Sequence, residues 1–118
     1  MPQKQEHLRK ADDNEKLALR LDLSISSAPN WAIVMTFYSA LHYVEAYFAD
    51  SSKHYRLHRV RDSMIQRDPK IRRIFRSYRR LSDCSEQARY EAYFFDEGQF
   101  ANIRKNLDDI KAVVVPLL

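Results

Sequence analysis

Hydrophobic residues recur at helical spacing along the first part of the chain. Between residues 7 and 25 they lie three, four or seven positions apart, at Leu8, Ala11, Ala18, Leu21 and Ile25. This spacing places them on one face of a helix. Residues 1–6 lack such a pattern, and we expect them to form a flexible tail in front of a single domain at residues 7–118.

The next segment, residues 30–49, is apolar on nearly every side. Its large side chains include Trp31, Met35, Phe37 and Tyr47, which no single helical face can hold. A helix that is apolar all round is buried within a protein. Because serine before Pro29 is typical of a helix start, we predict a helix here that forms the centre of the domain.

Two helices are predicted after a polar connection at residues 50–58, before the last one described below. The first covers residues 58–66. The second is amphipathic and covers residues 69–82, with Asp68 as its cap and Pro69 in its first turn. Residues 83–95 fit either an extension of that helix or a separate short one. The chain is therefore predicted to be an all-α, up-and-down bundle of four or five helices.

The last predicted helix follows Asp96 and ends near residue 115. Asp96 and Gln99 have the spacing of a capping box. Apolar residues then alternate at steps of three and four, at Phe100, Ile103, Leu107, Ile110, Val114 and Leu117. This heptad-like seam predicts packing either on the central helix or against a second copy of the chain.

Composition excludes several classes of protein. The 118 residues contain one glycine, Gly98, which is too few for a sheet with many tight turns. The single cysteine, Cys84, excludes an internal disulfide and a cysteine-rich zinc site. No apolar run approaches the roughly 20 residues of a membrane span. We expect a cytoplasmic protein without membrane contact.

Polar residues on the central helix are the first candidates for chemistry. Ser39, His42 and Glu45 follow one another at intervals of three and are neighbours on a helix. Buried polar groups need partners, so one interpretation is a core network in which His42 bonds to Ser39 or Glu45. In the other, His42 faces a cleft and carries protons.

Two histidines in the polar connection form a second candidate set. His54 and His58 are four residues apart and would share a face if helical, where they could bind a metal with His42 and Glu45. The chain lacks the repeated Glu-x-x-His pattern of dimetal bundles. We therefore expect no metal and no cofactor, with these histidines capping a helix or exposed.

Arginine supplies most of the excess charge, and the formal net charge is +4. The arginines cluster in one part of the sequence, at Arg56, Arg59, Arg61, Arg67, Arg72, Arg73, Arg76, Arg79 and Arg80. This density predicts phosphate contacts, with Tyr55 and Tyr78 near enough to stack on bases. The alternative is a solvated face that pairs with acidic residues of neighbouring helices.

Arg89 stands apart from that cluster, among less polar neighbours. It is either held by Asp83, Glu86 or Glu91, or projects into a pocket where it binds an anion. The sequence leaves both interpretations open.

Several segments together resemble the HEPN superfamily of helical domains from prokaryotic defence and toxin–antitoxin systems. The aromatic segment 30–42 is similar to its central helix, and residues 54–61 are similar to a connection in one branch of the group. The segment Ser85-x-x-Ala88-Arg89-Tyr90 and the long final helix also fit. The resemblance covers about residues 8–115.

The resemblance implies a four- or five-helix bundle, usually a homodimer, whose relatives are metal-independent ribonucleases, nucleotide-binding proteins or non-catalytic partners. Ribonuclease members carry arginine followed, after four to six residues, by histidine in the latter half of the domain. Here no histidine follows His58, and the nearest spacing, Lys53-x4-His58, begins with lysine. The usual ribonuclease motif is therefore absent.

From these patterns we expect a non-catalytic or degenerate module that binds RNA or a nucleotide through its arginines. A partner protein such as a nucleotidyltransferase fits a toxin–antitoxin pair. One alternative is a homodimeric protein-interaction module without nucleic acid. The other is an enzyme, a small metal-dependent hydrolase or a divergent ribonuclease that uses His42, His54, His58 and Arg89.

Overall fold

The structure is a computed structural model that describes residues 3–118, and it is an all-α helical bundle, as the sequence predicts. Two short 3-10 helices, Arg72–Ile74 and Val115–Leu117, supplement the α-helices. The α-helices are α1 (Lys4–Arg20), α2 (Ala28–Ala49), α3 (His58–Arg67), α4 (Phe75–Tyr90), α5 (Glu97–Ile103) and α6 (Lys105–Val114). None of them combines the length and apolar character needed to cross a membrane.

Helix α2 is the central element, and the other helices surround it. Of its 22 residues, 16 are buried, and it packs against α1, α4, α5 and α6. This arrangement confirms the prediction made from its all-round apolar surface. The indole of Trp31 is an exception, with 54% of the residue exposed near the start of the helix.

The N-terminal helix differs from the prediction at both ends. It begins at Lys4, so residues 4–6 are helical rather than part of the expected tail, while residues 1 and 2 lie outside the described part. It ends at Arg20, and Ile25 is exposed beyond it. The Asp22 carboxylate accepts hydrogen bonds from the backbone and hydroxyl of Ser24, and this local turn competes with continuation of the helix.

The predicted helix at residues 69–82 is displaced toward the C-terminus. Asp68 Oδ1 accepts a hydrogen bond from the Lys70 backbone N–H, as a helix cap does, but residues 69–71 form a turn and Ile71, at φ −122°, lies outside the helical region. The 3-10 helix follows, and α4 then continues to Tyr90. The first part of the ambiguous segment 83–95 therefore extends α4, as one of the two interpretations held.

Asn30 of α2 holds the rest of that segment in place. Its side-chain amide donates to the carbonyl oxygens of Ala88 (3.1 Å) and Tyr93 (2.8 Å). Its carbonyl oxygen accepts from the backbone N–H of Phe95 at 2.8 Å. One buried amide thus satisfies three backbone groups where α4 ends and the chain turns toward α5.

The last helical region has the predicted capping box. Asp96 accepts from the Gln99 backbone N–H, and the Gln99 side chain accepts from that of Asp96. The region is divided at Arg104 into α5 and α6. The first five residues of the heptad-like seam are buried in the core of the chain, whereas Leu117 is 40% exposed. The seam therefore packs within the bundle, on the side of α2.

Candidate functional site

The polar residues of α2 find their partners on other helices. The Ser39 hydroxyl donates to the Ala11 carbonyl oxygen at 2.7 Å, and His42 Nδ1 lies 3.0 Å from His7 Nδ1. The predicted pairing of His42 with Ser39 or Glu45 is therefore wrong. Neighbouring positions on one helix were the only candidates that the sequence offered, whereas α1 supplies both actual partners.

Glu45 forms a buried ion pair with Arg61 of α3. Arg61 Nε lies 2.5 Å from Glu45 Oε1, and the two side chains are only 5% and 6% exposed. Arg61 also donates to the Tyr55 carbonyl oxygen, and its Nη1 lies 3.2 Å from His58 Nδ1. Arg61 was predicted to contact nucleic acid. Its guanidinium is instead enclosed and fully engaged with protein groups.

A cavity of about 330 Å³ lies beside this ion pair. We call the group His7, His42, Glu45 and His54 the histidine pocket, because the first, third and fourth of these line the cavity and His42 contacts His7. His7, Glu45 and His54 each offer one potential ligand atom, and these three atoms lie within 4.8 Å of one another. The Nε2 atom of His7 is buried and has no hydrogen-bond partner.

His54 reaches this pocket because of the turn that ends α2. The backbone N–H of Lys53 donates to Phe48 and that of Ser52 to Ala49, with Ser52 in the left-handed region at φ 56°. This is a Schellman turn with serine where glycine is usual. It returns the chain toward α1, so that the rings of His54 and His7 lie 6.3 Å apart.

The predicted pairing of His54 with His58 does not form. Residues 54–57 are not helical, and His58 starts α3, where its ring lies 5.9 Å from that of Phe37. The two histidines therefore have different surroundings, although Arg61 contacts both His58 and the carbonyl of Tyr55, which follows His54.

Burial controls the protonation of these imidazoles. It lowers the pKa of His42 to about 4, and the nearby cations and His7 add to the effect. It also lowers the pKa of His7. Desolvation together with Arg61 lowers the pKa of His58. His42 is therefore a neutral imidazole at pH 7, able to donate one hydrogen bond and accept another.

Arg89 of α4 contacts two tyrosine rings, and after burial and Arg61 its positive charge also contributes to the lowered pKa of His58. Its Nη1 donates to the Tyr38 hydroxyl at 2.9 Å, and its guanidinium lies 5.7 Å and 4.9 Å from the centroids of the Tyr38 and Tyr90 rings. Among residues 3–118, Arg89 forms no ion pair with Asp83, Glu86 or Glu91. Arg89 makes no hydrogen bond to His42, His54 or His58, so the four candidate catalytic residues are not joined in one network.

The arginine cluster divides into two groups. Arg79 pairs with Asp62 at 2.8 Å and with Asp83 at 3.2 Å, as the solvated-face interpretation expects. Arg80 Nη2 donates to Asn102 at 2.8 Å. The remaining arginines are exposed and form no ion pair within the described part of the chain: Arg56, Arg59, Arg67, Arg72, Arg73 and Arg76.

Neither tyrosine proposed for base stacking is well placed. Tyr78 is completely buried in the core, and Tyr55 is half-buried with its ring edge-on to Phe48 at 4.9 Å. Tyr93, which the sequence did not single out, is 40% exposed. Its position depends on the turn held by Asn30, which no local pattern reveals.

Two adjoining depressions run along α4, and both include Arg80 and Cys84. One, of about 440 Å³, contains Arg76 and Arg79, and the other, of about 580 Å³, contains Tyr93. We call them together the α4 groove. It joins exposed arginines to an accessible aromatic ring.

His7 was also missed by the sequence analysis, although a signal was present. It lies four residues before Ala11 and eleven before Ala18, and these three residues are the buried positions of α1. A histidine in register with an apolar stripe points into the core. That register could have identified His7 as a partner for a buried polar group.

The chain matches no family model, no curated protein and no solved structure. Similarity therefore assigns neither family nor function.

Proposed function

We propose that the chain is a non-catalytic, HEPN-like helical module that binds single-stranded RNA along the α4 groove. The observation that carries this proposal is the position of Arg76 and Arg80 in the groove, with Arg72 on the 3-10 helix that precedes α4. All three are exposed and have no carboxylate partner within residues 3–118. Exposed cations that are not neutralised by the protein are available for phosphates.

The charges along the groove favour an anion. Arg79 pairs with Asp62 at 2.8 Å and with Asp83 at 3.2 Å, and the Asp96 carboxylate of the groove accepts the Gln99 backbone N–H. These contacts leave the charge of Arg76 unopposed. Arg80 is oriented by Asn102, a neutral acceptor, and keeps its positive charge available. Guanidinium groups match phosphate oxygens in geometry as well as in charge.

A polynucleotide suits the groove better than a free nucleotide. The arginines lie along the 3-10 helix and the first part of α4, and Tyr93 lies at the far end of the groove with an accessible ring. Single-strand binding commonly combines a basic track with aromatic rings on which bases stack. A mononucleotide would reach only part of this surface.

The test measures binding of a fluorescent single-stranded RNA by anisotropy between about 50 and about 200 mM salt. The variant Arg72→Gln/Arg76→Gln/Arg80→Gln removes the three charges and keeps good helix formers. We expect RNA affinity to fall at least about tenfold at low salt. The slope of log affinity against log salt should decrease by about 0.7 for each phosphate that the variant no longer neutralises.

The matched control is Arg9→Gln/Lys16→Gln/Arg20→Gln on α1. These three residues are exposed and the substitution changes net charge by the same amount. We expect the control to bind nearly as well as the unmodified protein. An equal decrease of affinity in both variants, or binding that does not depend on salt, would overturn the proposal.

The same samples distinguish the alternatives. RNA that is shortened on a denaturing gel would favour the divergent ribonuclease with His42, His54, His58 and Arg89. Absence of RNA binding together with a dimeric mass by light scattering would favour the interaction module. The proposal itself, following the HEPN resemblance, expects intact RNA and a homodimer, with a nucleotidyltransferase as a suitable partner protein.

A further inference from the structure

The histidine pocket contains a buried polar atom that the protein leaves without a partner. His7 is 6% exposed, and its Nε2 makes no hydrogen bond. An orphaned buried nitrogen costs free energy unless something binds it. His54 and Glu45 each offer a ligand atom within 4.8 Å of a ring nitrogen of His7. The RNA-binding proposal uses none of these three residues.

We propose that His7, Glu45 and His54 bind a divalent transition-metal ion, of which Zn²⁺ is the best match. Two imidazoles and one carboxylate are a common three-residue ligand set for Zn²⁺, with the fourth position left to water or another small ligand. The sequence led us to expect no metal, and this proposal replaces that expectation with a site built from a different set of residues.

The geometry requires only a small adjustment. Bonds of about 2.0–2.1 Å in a tetrahedral site place ligand atoms about 3.4 Å apart. The ligand atoms lie within 4.8 Å of one another, so they must approach by about 1.4 Å at most. His7 and Glu45 lie on packed helices, whereas His54 belongs to the irregular connection after α2 and supplies the movement.

His42 acts as a positioning residue for this site. When His7 donates its Nδ1 proton to His42 Nδ1, 3.0 Å away, its Nε2 carries a free lone pair. Metal-binding histidines usually donate their second ring N–H to a neighbouring acceptor, which fixes tautomer and ring orientation. The contact between the two imidazoles supplies that acceptor.

The ion pair sets the electrostatics of the site. Arg61 holds Glu45 by Oε1, which fixes the carboxylate and leaves Oε2 for a metal. The Arg61 charge opposes a second cation and lowers its affinity, while the carboxylate offsets part of this effect. The fourth position faces the cavity of about 330 Å³, where Arg56 is positioned to attract an anionic ligand.

The experiment titrates the tag-free protein with Zn²⁺ and with Co²⁺ after removal of metals by a chelator. We expect one ion per chain, intense visible absorption typical of tetrahedral Co²⁺, and a higher melting temperature with Zn²⁺. Because His54 lies in a connection between helices, the variant His54→Ala should fold. It should weaken binding more than about 100-fold, because removal of an outer partner alone costs about 10- to 100-fold.

The matched control is His58→Asn, which removes an exposed imidazole four residues away but keeps an acceptor for Arg61, and which should change the affinity by less than about threefold. His42→Phe keeps a ring but removes the acceptor of His7, and should weaken binding about 10- to 100-fold. The proposal is wrong if no stoichiometric binding occurs, or if His58→Asn weakens binding as much as His54→Ala does.

Discussion

The Nδ1 atoms of His7 and His42 lie 3.0 Å apart, so one imidazole must donate a proton and the other must accept it. Two imidazolium rings in this arrangement would direct two N–H groups at each other. Burial and the neighbouring charges act in the same direction, because they lower the pKa of His42 to about 4. The contact between α1 and α2 therefore requires at least one neutral histidine.

This contact makes the stability of the metal-free protein sensitive to mild acid. The pKa of His42 is about 4 in the fold and 6.5 in the unfolded chain, so the unfolded chain binds more protons between these values. The stabilising effect is complete above pH 6.5 and decreases as the pH falls toward 4. Lys10 and His7 on α1 and Arg61 on α3 oppose protonation of His42.

Urea denaturation in the presence of a chelator measures the effect. We expect the midpoint to fall between about pH 7.5 and about pH 5 in the unmodified protein. His42→Gln, which cannot gain a proton, should show a smaller decrease. Equal pH dependence in the two proteins would contradict the assignment to His42.

The buried pair of Glu45 and Arg61 should respond strongly to removal of one partner. Glu45→Gln or Arg61→Met leaves the other group with an uncompensated charge, and we expect each to lower the free energy of unfolding by about 3–5 kcal/mol. Because neither charge remains in Glu45→Gln/Arg61→Met, the double substitution should cost less than the sum of the single ones.

The exposed pair of Arg79 and Asp83 is the matched control. Asp83→Asn should cost less than about 1 kcal/mol, because a solvated ion pair contributes little. Urea denaturation of the unmodified protein and of all four variants gives the free energies of unfolding that are compared. Additive effects of the Glu45 and Arg61 substitutions would show that the two groups do not interact as the 2.5 Å contact implies.

The seam of α5 and α6 should behave as core and not as a subunit interface. Leu107 is 1% exposed, so Leu107→Ala should lower the free energy of unfolding by about 2–5 kcal/mol without changing the oligomeric state. Leu117→Ala, at a 40% exposed position, should change it by less than about 0.5 kcal/mol. A folded Leu107→Ala protein with an altered mass in light scattering would assign the seam to an interface.

Local patterns were sufficient for several elements. The all-round apolar surface of residues 30–49 predicted the central helix, and the spacing of Asp96 and Gln99 predicted the capping box that the structure contains. Both signals act within a few residues along the chain. The predicted helix start at Pro69 was wrong, because residues 69–71 form a turn in which Ile71 leaves the helical region, and a 3-10 helix precedes α4.

The candidate sites depended on contacts between distant segments. His42 meets a residue 35 positions away, and Glu45 meets one 16 positions away. The sequence identified His42, His54 and Arg89 as unusual but could not assign their neighbours. It also could not separate Arg61, which is buried, from the exposed arginines close to it.

The sequence by itself determined the helical class, the buried position of α2 and the excess of arginine, because periodicity and composition act locally. Only the tertiary structure decided which polar groups meet, since helix packing brings α1, α3 and the Ser52 turn to the same end of α2. A buried polar group is satisfied by whichever partner packing places beside it. That partner is set by the fold, and no pattern within one helix specifies it.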